Sequence, residues 1–239
     1  LVADNEVLLK NNTGNIWDSK QTKSAASIEV AYAGKTLQSA KKYFWKVQVW
    51  DNKGNVSAWS GAALWQMGLM QAKDWSNAKW IGYEEINDTA IIAPHVHMSG
   101  KKAWGLRKDI LPVLRKEFAV AKKIKQATVF ICGLGHFEVS INGKKIGDHF
   151  LAPGWTNYSK HAQYVTFDVT NSMRQGKNAI GVMLGNGFYY IPSERYRKMT
   201  GAYGYPKLIA KTLIELTDGT TQQIISDESW KTDKSPIIY

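Results

Sequence analysis

Apolar residues along this chain recur at every second position far more often than at helical spacing, which reads as a succession of short β-strands. Tyr43, Trp45, Val47 and Val49 would share one face of a strand, with Phe44, Lys46, Gln48 and Trp50 on the other. The run Asp51-Asn52-Lys53-Gly54-Asn55 supplies turn residues at its end. A partner strand is expected from Ala63 to Met67, after the Ser57-Ala58-Trp59-Ser60 corner, with earlier strands around Ile16–Asp18 and Ile28–Tyr32. Such spacing predicts a small sandwich over residues 1–68. Only four or five strands fit before Gly68, and Leu1-Val2-Ala3-Asp4 reads as the end of a strand. This sandwich is therefore expected to be incomplete at its start.

The alternation is more regular further on. Phe137, Val139 and Ile141 interleave with Glu138, Ser140 and Asn142, and Asn142-Gly143 marks a hairpin because both residues tolerate positive φ. Val165, Phe167 and Val169 make the next apolar face, a helical turn fits Asn171–Arg174, and Asp168 is placed to cap it. Ile180, Val182 and Leu184 follow, and Leu208–Leu216 and Gln222–Ser226 flank an Asp218-Gly219 turn. The expected class is all-β, with two antiparallel β-sandwiches, the second over residues 69–239 and carrying a basic excursion at 85–113. Gly185 to Pro206 is rich in glycine and tyrosine and has no period; a stretch of that kind is usually functional or interface-forming.

Composition narrows the classes. With 239 residues, 44% hydrophobic and 21% charged, the chain has material for real cores, and disorder is excluded. No apolar run approaches the ~18 residues of a membrane helix, so no membrane span is expected. No leader of basic then apolar residues is visible, which is what a processed or trimmed chain would also show. The single cysteine, Cys132, excludes a disulfide framework and is expected to be a buried, inert thiol. The net charge of +11 allows an anionic partner. Lys101–Lys125 reads either as a solvated segment or as a docking surface for an acidic polymer or domain. It shows no helical stripe, so nucleic acid is not the expected partner.

Candidate chemistry is sparse. Gly133-Leu134-Gly135 has Glu138 where a dinucleotide motif needs glycine, and Gly34-Lys35-Thr36 has Glu29 where a phosphate loop needs one. His95 and His97 have ligand spacing without a third ligand, so no metal is expected there. Asp148 and Asp168 are separate carboxylates, and nothing composes an active site. Aromatic residues are more informative, with ten Trp and eleven Tyr. Trp155, Asn157 and Tyr158 follow Pro153-Gly154, while Asn186, Phe188, Tyr189 and Tyr190 follow Gly185. These two groups form either a packed corner or a shallow sugar-contacting or domain-contacting surface, in which rings cover pyranose faces and Asn and Tyr donate hydrogen bonds.

A family resemblance joins these pieces. Leu114-Arg115-Lys116-Glu117-Phe118, Cys132-Gly133-Leu134-Gly135-His136-Phe137-Glu138, Ile141-Asn142-Gly143-Lys144, Leu151-Ala152-Pro153-Gly154-Trp155-Thr156-Asn157-Tyr158, Phe167-Asp168-Val169-Thr170 and Gly185-Asn186-Gly187-Phe188-Tyr189 occur in this order. Together they resemble the N-terminal, jelly-roll-like sandwich of bacterial α-L-rhamnosidases. Tyr43-Phe44-Trp45-Lys46-Val47, Val49-Trp50-Asp51, Trp59-Ser60 and Lys79-Trp80-Ile81-Gly82 resemble the fibronectin type III-like domain that precedes it. A full fibronectin-type sandwich has about seven strands, hence the expectation of a partial one.

The resemblance implies a secreted or periplasmic parent enzyme that removes terminal α-L-rhamnose from plant polysaccharides or glycosides with inversion, through two carboxyl groups ~6.5–9.5 Å apart. In the family these groups come from an (α/α)6 barrel beyond the present residues, so no catalytic residue is expected here. Packing on that barrel and contact with a rhamnose-containing glycan are the implied roles; a stand-alone carbohydrate-binding module is the alternative. The expected contacts are Trp155, Asn157, Tyr158, Asn186, Phe188 and Tyr189, with Arg195 and Arg197 (and Lys198 beside them) placed to meet uronate carboxylates. Some members bind rhamnose on this sandwich through calcium. Here Asp148 is followed by His149 rather than an amide, so no cofactor is expected.

Overall fold

The computed structural model describes residues 1–26, 28–83, 111–190 and 203–237. The chain divides into two compact units, Leu1–Asp74 and Trp75–Tyr239. Among the described residues no helix is long and apolar enough to cross a membrane.

The first unit is built on a three-stranded antiparallel sheet of β1 (Val2–Ala3), β2 (Lys42–Trp45) and β3 (Ala63–Gln66). Tyr43 is buried and stacks on its cross-strand partner Trp65, with centroids 5.6 Å apart. Between β1 and β2 lies a short helix that alternation does not reveal, α1 (Glu6–Lys10). The Asn5 side chain caps it by accepting from the Leu8 N–H at 2.9 Å, a Glu6–Lys10 ion pair spans one turn, and Leu9 anchors it in the core.

Three expectations for this unit need correction. The strand from Tyr43 ends at Trp45, so Val47 and Val49 do not continue its face; Tyr43 is buried, whereas Trp45, Val47 and Val49 are exposed. Past Trp45 the ladder loses its regularity because serine hydroxyls accept where carbonyls would: Ser60 Oγ from the Val47 N–H at 3.0 Å and Ser57 Oγ from the Val49 N–H at 3.1 Å. The Asp51–Asn55 turn forms as read, the Asp51 carboxylate accepting from the Lys53 and Asn55 N–H groups at 2.8 Å. Ile16–Asp18 contributes only a bridge from Trp17 to Val2. Ile28–Tyr32 is not a strand; among the described residues no strand pairs with it, and Ile28 and Val30 stand in solvent.

The second unit is a two-sheet antiparallel sandwich. One sheet has the order β13-β5-β10-β7-β8, from β5 (Pro112–Val120), β7 (His136–Ile141), β8 (Lys144–Lys145), β10 (Gly176–Gly185) and β13 (Lys231–Lys234). The other is β12-β11-β6-β9, from β6 (Ile124–Leu134), β9 (Val165–Asp168), β11 (Lys207–Leu216) and β12 (Thr221–Ile225), with β4 (Ile81–Gly82) also on β11. Phe137, Val139 and Ile141 of β7 and Ile180, Val182 and Leu184 of β10 face inward, meeting Val129, Ile131 and Phe167. The period-two reading of these strands therefore translates into the core.

Hairpin chemistry also follows the sequence. Asn142 and Gly143 adopt φ of 52° and 81°. The Asn142 amide donates to Ser172 O at 2.9 Å and accepts from the Ala179 N–H at 3.0 Å, tying the turn to two other segments. The expected helical turn is a 3-10 turn at Thr170–Ser172, one residue early, with the Asp168 carboxylate accepting from the Thr170 N–H at 3.0 Å. Of the basic excursion, 85–110 lies outside the described residues, and so do His95 and His97. Four of the five described cations of the basic run pair with acids: Arg115 with Glu117, Lys116 with Asp227, Lys122 with Asp218 and Lys125 with Glu215.

β6 is buried on both faces from Ala127 to Leu134. Its outward side lies under a second apolar layer of Cys132, Leu134, Tyr189 and Ile209, joined by Trp75, Tyr158, Tyr164 and Tyr203. This layer decides which aromatic residues of the long loops remain open.

Candidate carbohydrate-contacting site

The site begins at the tight turn between β6 and β7. Gly135 sits at φ +44°, and a Cβ there would lie 2.2 Å from Gly185 O, so only glycine lets this turn press against the backbone at the end of β10. The chain leaving β10 is held just as close, since a Cβ on Gly187 would come within 2.9 Å of His136. From the other direction the Phe137 N–H donates to Ala152 O at 2.9 Å and docks the loop before β9 on the same strand end. Ala152 and Pro153 are buried, across a cis peptide bond.

These anchors bring Trp155 and Phe188 together. Their rings stack with centroids 5.1 Å apart at 24°, and they remain 63% and 40% exposed. Stacked in this way the rings cover one another's inner faces, and the exposed remainder of the Trp155 indole forms a flat apolar platform. Asn157 is exposed on the same loop; its Oδ1 accepts from the Ser159 N–H at 3.1 Å and its carbonyl accepts from the Lys160 and His161 N–H groups, which shapes the turn after the platform.

The other expected contacts lie deeper. Tyr158 is half-buried, edge-on to Tyr189 at 5.3 Å and to Tyr203 at 5.2 Å. Tyr189 is buried in the outer apolar layer and donates its hydroxyl to Tyr203 O at 3.3 Å. Desolvation pushes its phenol up to about 12. The same burial pushes the Cys132 thiol up to about 12, the inert state expected of it. Asn186 is buried too, its carbonyl accepting from the Tyr190 N–H at 3.2 Å. Tyr189 and Asn186 are thus the buried neighbours of Phe188 in the segment that leaves β10. Arg195 and Arg197 lie outside the described residues.

Sequence reading did not single out Phe150 or the partner ring Tyr203. One signal was available for the first: Phe150 to Ser159 contains no charged residue. The Asp148 carboxylate is fully exposed, with the His149 imidazole 3.8 Å away. Among the described residues no three His, Cys, Asp or Glu side chains gather as metal ligands.

Comparison with known proteins places these units. Residues 122–239 match the α-L-rhamnosidase N-terminal domain, and residues 2–71 match the Rha78A-like N-terminal immunoglobulin domain. An α-L-rhamnosidase of Formosa agariphila is 36% identical over the whole chain, which spans 26% of that protein. The structure of an α-L-rhamnosidase from Dictyoglomus thermophilum superposes with a TM-score of 0.82 at 40% identity, over 100% of this chain and 25% of that one. A Streptomyces avermitilis α-L-rhamnosidase solved with L-rhamnose shares the fold at a TM-score of 0.82 and 22% identity, over 99% of this chain and 37% of that one. The chain therefore spans about a quarter of the length of the Formosa and Dictyoglomus relatives, and it matches their N-terminal domains rather than their catalytic domain. It belongs to the α-L-rhamnosidase family, as the immunoglobulin-like and β-sandwich domains of that family's N-terminal region.

Proposed function

We propose that this chain is the accessory region of a secreted or periplasmic enzyme that hydrolyses terminal α-L-rhamnosyl linkages in plant polysaccharides or glycosides with inversion. The acid and base belong to an (α/α)6 barrel elsewhere in the polypeptide, and the sandwich packs on that barrel and contacts the glycan. The observation that carries glycan contact is the exposed Trp155–Phe188 stack. L-Rhamnose is a 6-deoxy sugar, so its ring C–H face and methyl group present apolar surface that a fixed indole can cover. Exposed Asn157 and half-buried Tyr158 follow Trp155 on the same loop, and their amide and hydroxyl would orient the sugar through its hydroxyls. Arg195 and Arg197 would meet uronate carboxylates in an acidic glycan.

Calorimetric titration of the chain with a rhamnosyl oligosaccharide tests this reading. Weak binding is expected, with Kd in the range of about 1 mM or below, lost in Trp155→Ala while the unfolding transition is kept. Absence of binding, or affinity that survives Trp155→Ala, overturns it. A free-standing binding module would also titrate, but full-length protein of that kind would release no rhamnose.

A further inference from the structure

Phe150 and Leu151 are the most exposed large apolar side chains of the second unit among the described residues, at 85% and 74%. They do not sit on a loose tip. Before them, a Cβ on Gly147 (φ +72°) would lie 2.5 Å from Phe167, and the His149 ring packs edge-on against the same Phe167 at 5.3 Å. After them, Ala152 and Pro153 are buried and Ala152 O holds the Phe137 N–H. Between these anchors Leu151 takes φ +54°, a left-handed conformation that disfavours a branched side chain. The anchored backbone turns two large apolar groups into water.

The chemistry of this lip fits a polypeptide rather than a sugar. A sugar wants a flat ring with an open face, as at Trp155. Leucine has none, and the Lys145 ammonium lies over the Phe150 ring at 5.2 Å. No charged residue occurs from Phe150 to Ser159, and charge depletion with aromatic enrichment marks the buried centre of protein interfaces. The two relatives of which this chain spans 25% and 26% have three quarters of their polypeptide outside the matched region. We infer that Phe150 and Leu151 seat in an apolar recess of that remaining polypeptide and fix the sandwich to it. This rests on the reading of the chain as part of a larger rhamnosidase, but not on glycan contact at Trp155.

Hydroxyl-radical footprinting read by mass spectrometry, on this chain and on the full-length parent protein, tests it. Phe150 and Leu151 should oxidise readily in the chain alone and several-fold more slowly in the full-length protein, while buried Tyr43 stays protected in both. The double variant Phe150→Ser/Leu151→Ser should melt like the unsubstituted chain when alone, and in the full-length protein should restore fast oxidation of exposed His149, which borders the lip on the side away from Trp155 in sequence. Equal oxidation of Phe150 and Leu151 in both proteins overturns the inference. Protection in the chain alone that grows with its concentration also overturns it, because a second copy would then be the occupant. Equal oxidation beside an intact rhamnosyl titration removes the docking lip alone, whereas protection without titration removes the glycan platform alone.

Discussion

Trp155, in the loop before β9, and Phe188, in the loop after β10, stack 5.1 Å apart and reach each other only because both loops are pinned at the start of β7. A stacked pair of this kind contributes about 0.5–1.5 kcal/mol beyond the area it buries. Phe188→Ala should therefore lower the unfolding free energy by about 1 kcal/mol and weaken rhamnosyl binding as Trp155→Ala does. Phe188→Tyr should keep both. Urea denaturation followed by calorimetry separates the two effects.

Gly135 carries the close approach on which that pairing depends. With Gly185 O 2.2 Å from a Cβ, Gly135→Ala must displace backbone. The expected loss is about 3 kcal/mol or more, together with the platform. Gly143→Ala is the matched control: its φ is +81° but nothing lies within 4 Å of its Cβ. It should cost only the left-handed penalty, about 1–2 kcal/mol. Equal losses in the two variants would contradict the close approach of Gly185 O to the turn at Gly135.

Cys132 should be silent toward a disulfide reagent in the native chain and react fully once the chain is unfolded. Its folded-state value, raised to about 12 by burial, also sets a pH dependence. The unfolded thiol ionises above about pH 8.5 while the folded one stays protonated, so the unfolded state binds fewer protons and stability falls as pH rises from there toward 12. Cys132→Ala should flatten that part of the alkaline limb, measured by denaturation at stepped pH.

Asp218 works in the opposite direction. Its carboxylate lies well below the ordinary range, chiefly through the hydrogen bond from Lys122 and then those from the Thr220 hydroxyl and N–H. A depressed folded value means that the contribution is complete above the unfolded value, about pH 3.9, and is lost as pH falls through the folded one. Both side chains face solvent, so the effect is small and screened by salt. Asp218→Asn should leave neutral stability nearly unchanged and make acid unfolding less steep at low salt.

Legibility from sequence tracked how local the determining physics was. β7 and β10 could be read residue by residue because each packs one face on a core and keeps period two, and Asn142-Gly143 signals its own turn. α1 left no trace because five residues hold too little of a 3.6-residue period to show. Val47 and Val49 misled because the fate of their strand depends on the Ser57 and Ser60 hydroxyls, which pattern reading treats as corner residues. At the candidate site, Phe188 and Tyr189 are neighbours in a stretch without period, yet one is open and the other buried. The outer apolar layer over β6, assembled from Trp75, Tyr158, Tyr164 and Tyr203, decides between them, and only the folded chain brings it together.

The central claim is that this region serves a sugar-cleaving enzyme whose acid and base lie elsewhere. Incubation with p-nitrophenyl α-L-rhamnoside tests it most directly. The chain alone should release no p-nitrophenol above buffer, while the full-length protein should turn the substrate over. Release by the chain that scales with its concentration and persists through repurification would contradict the account.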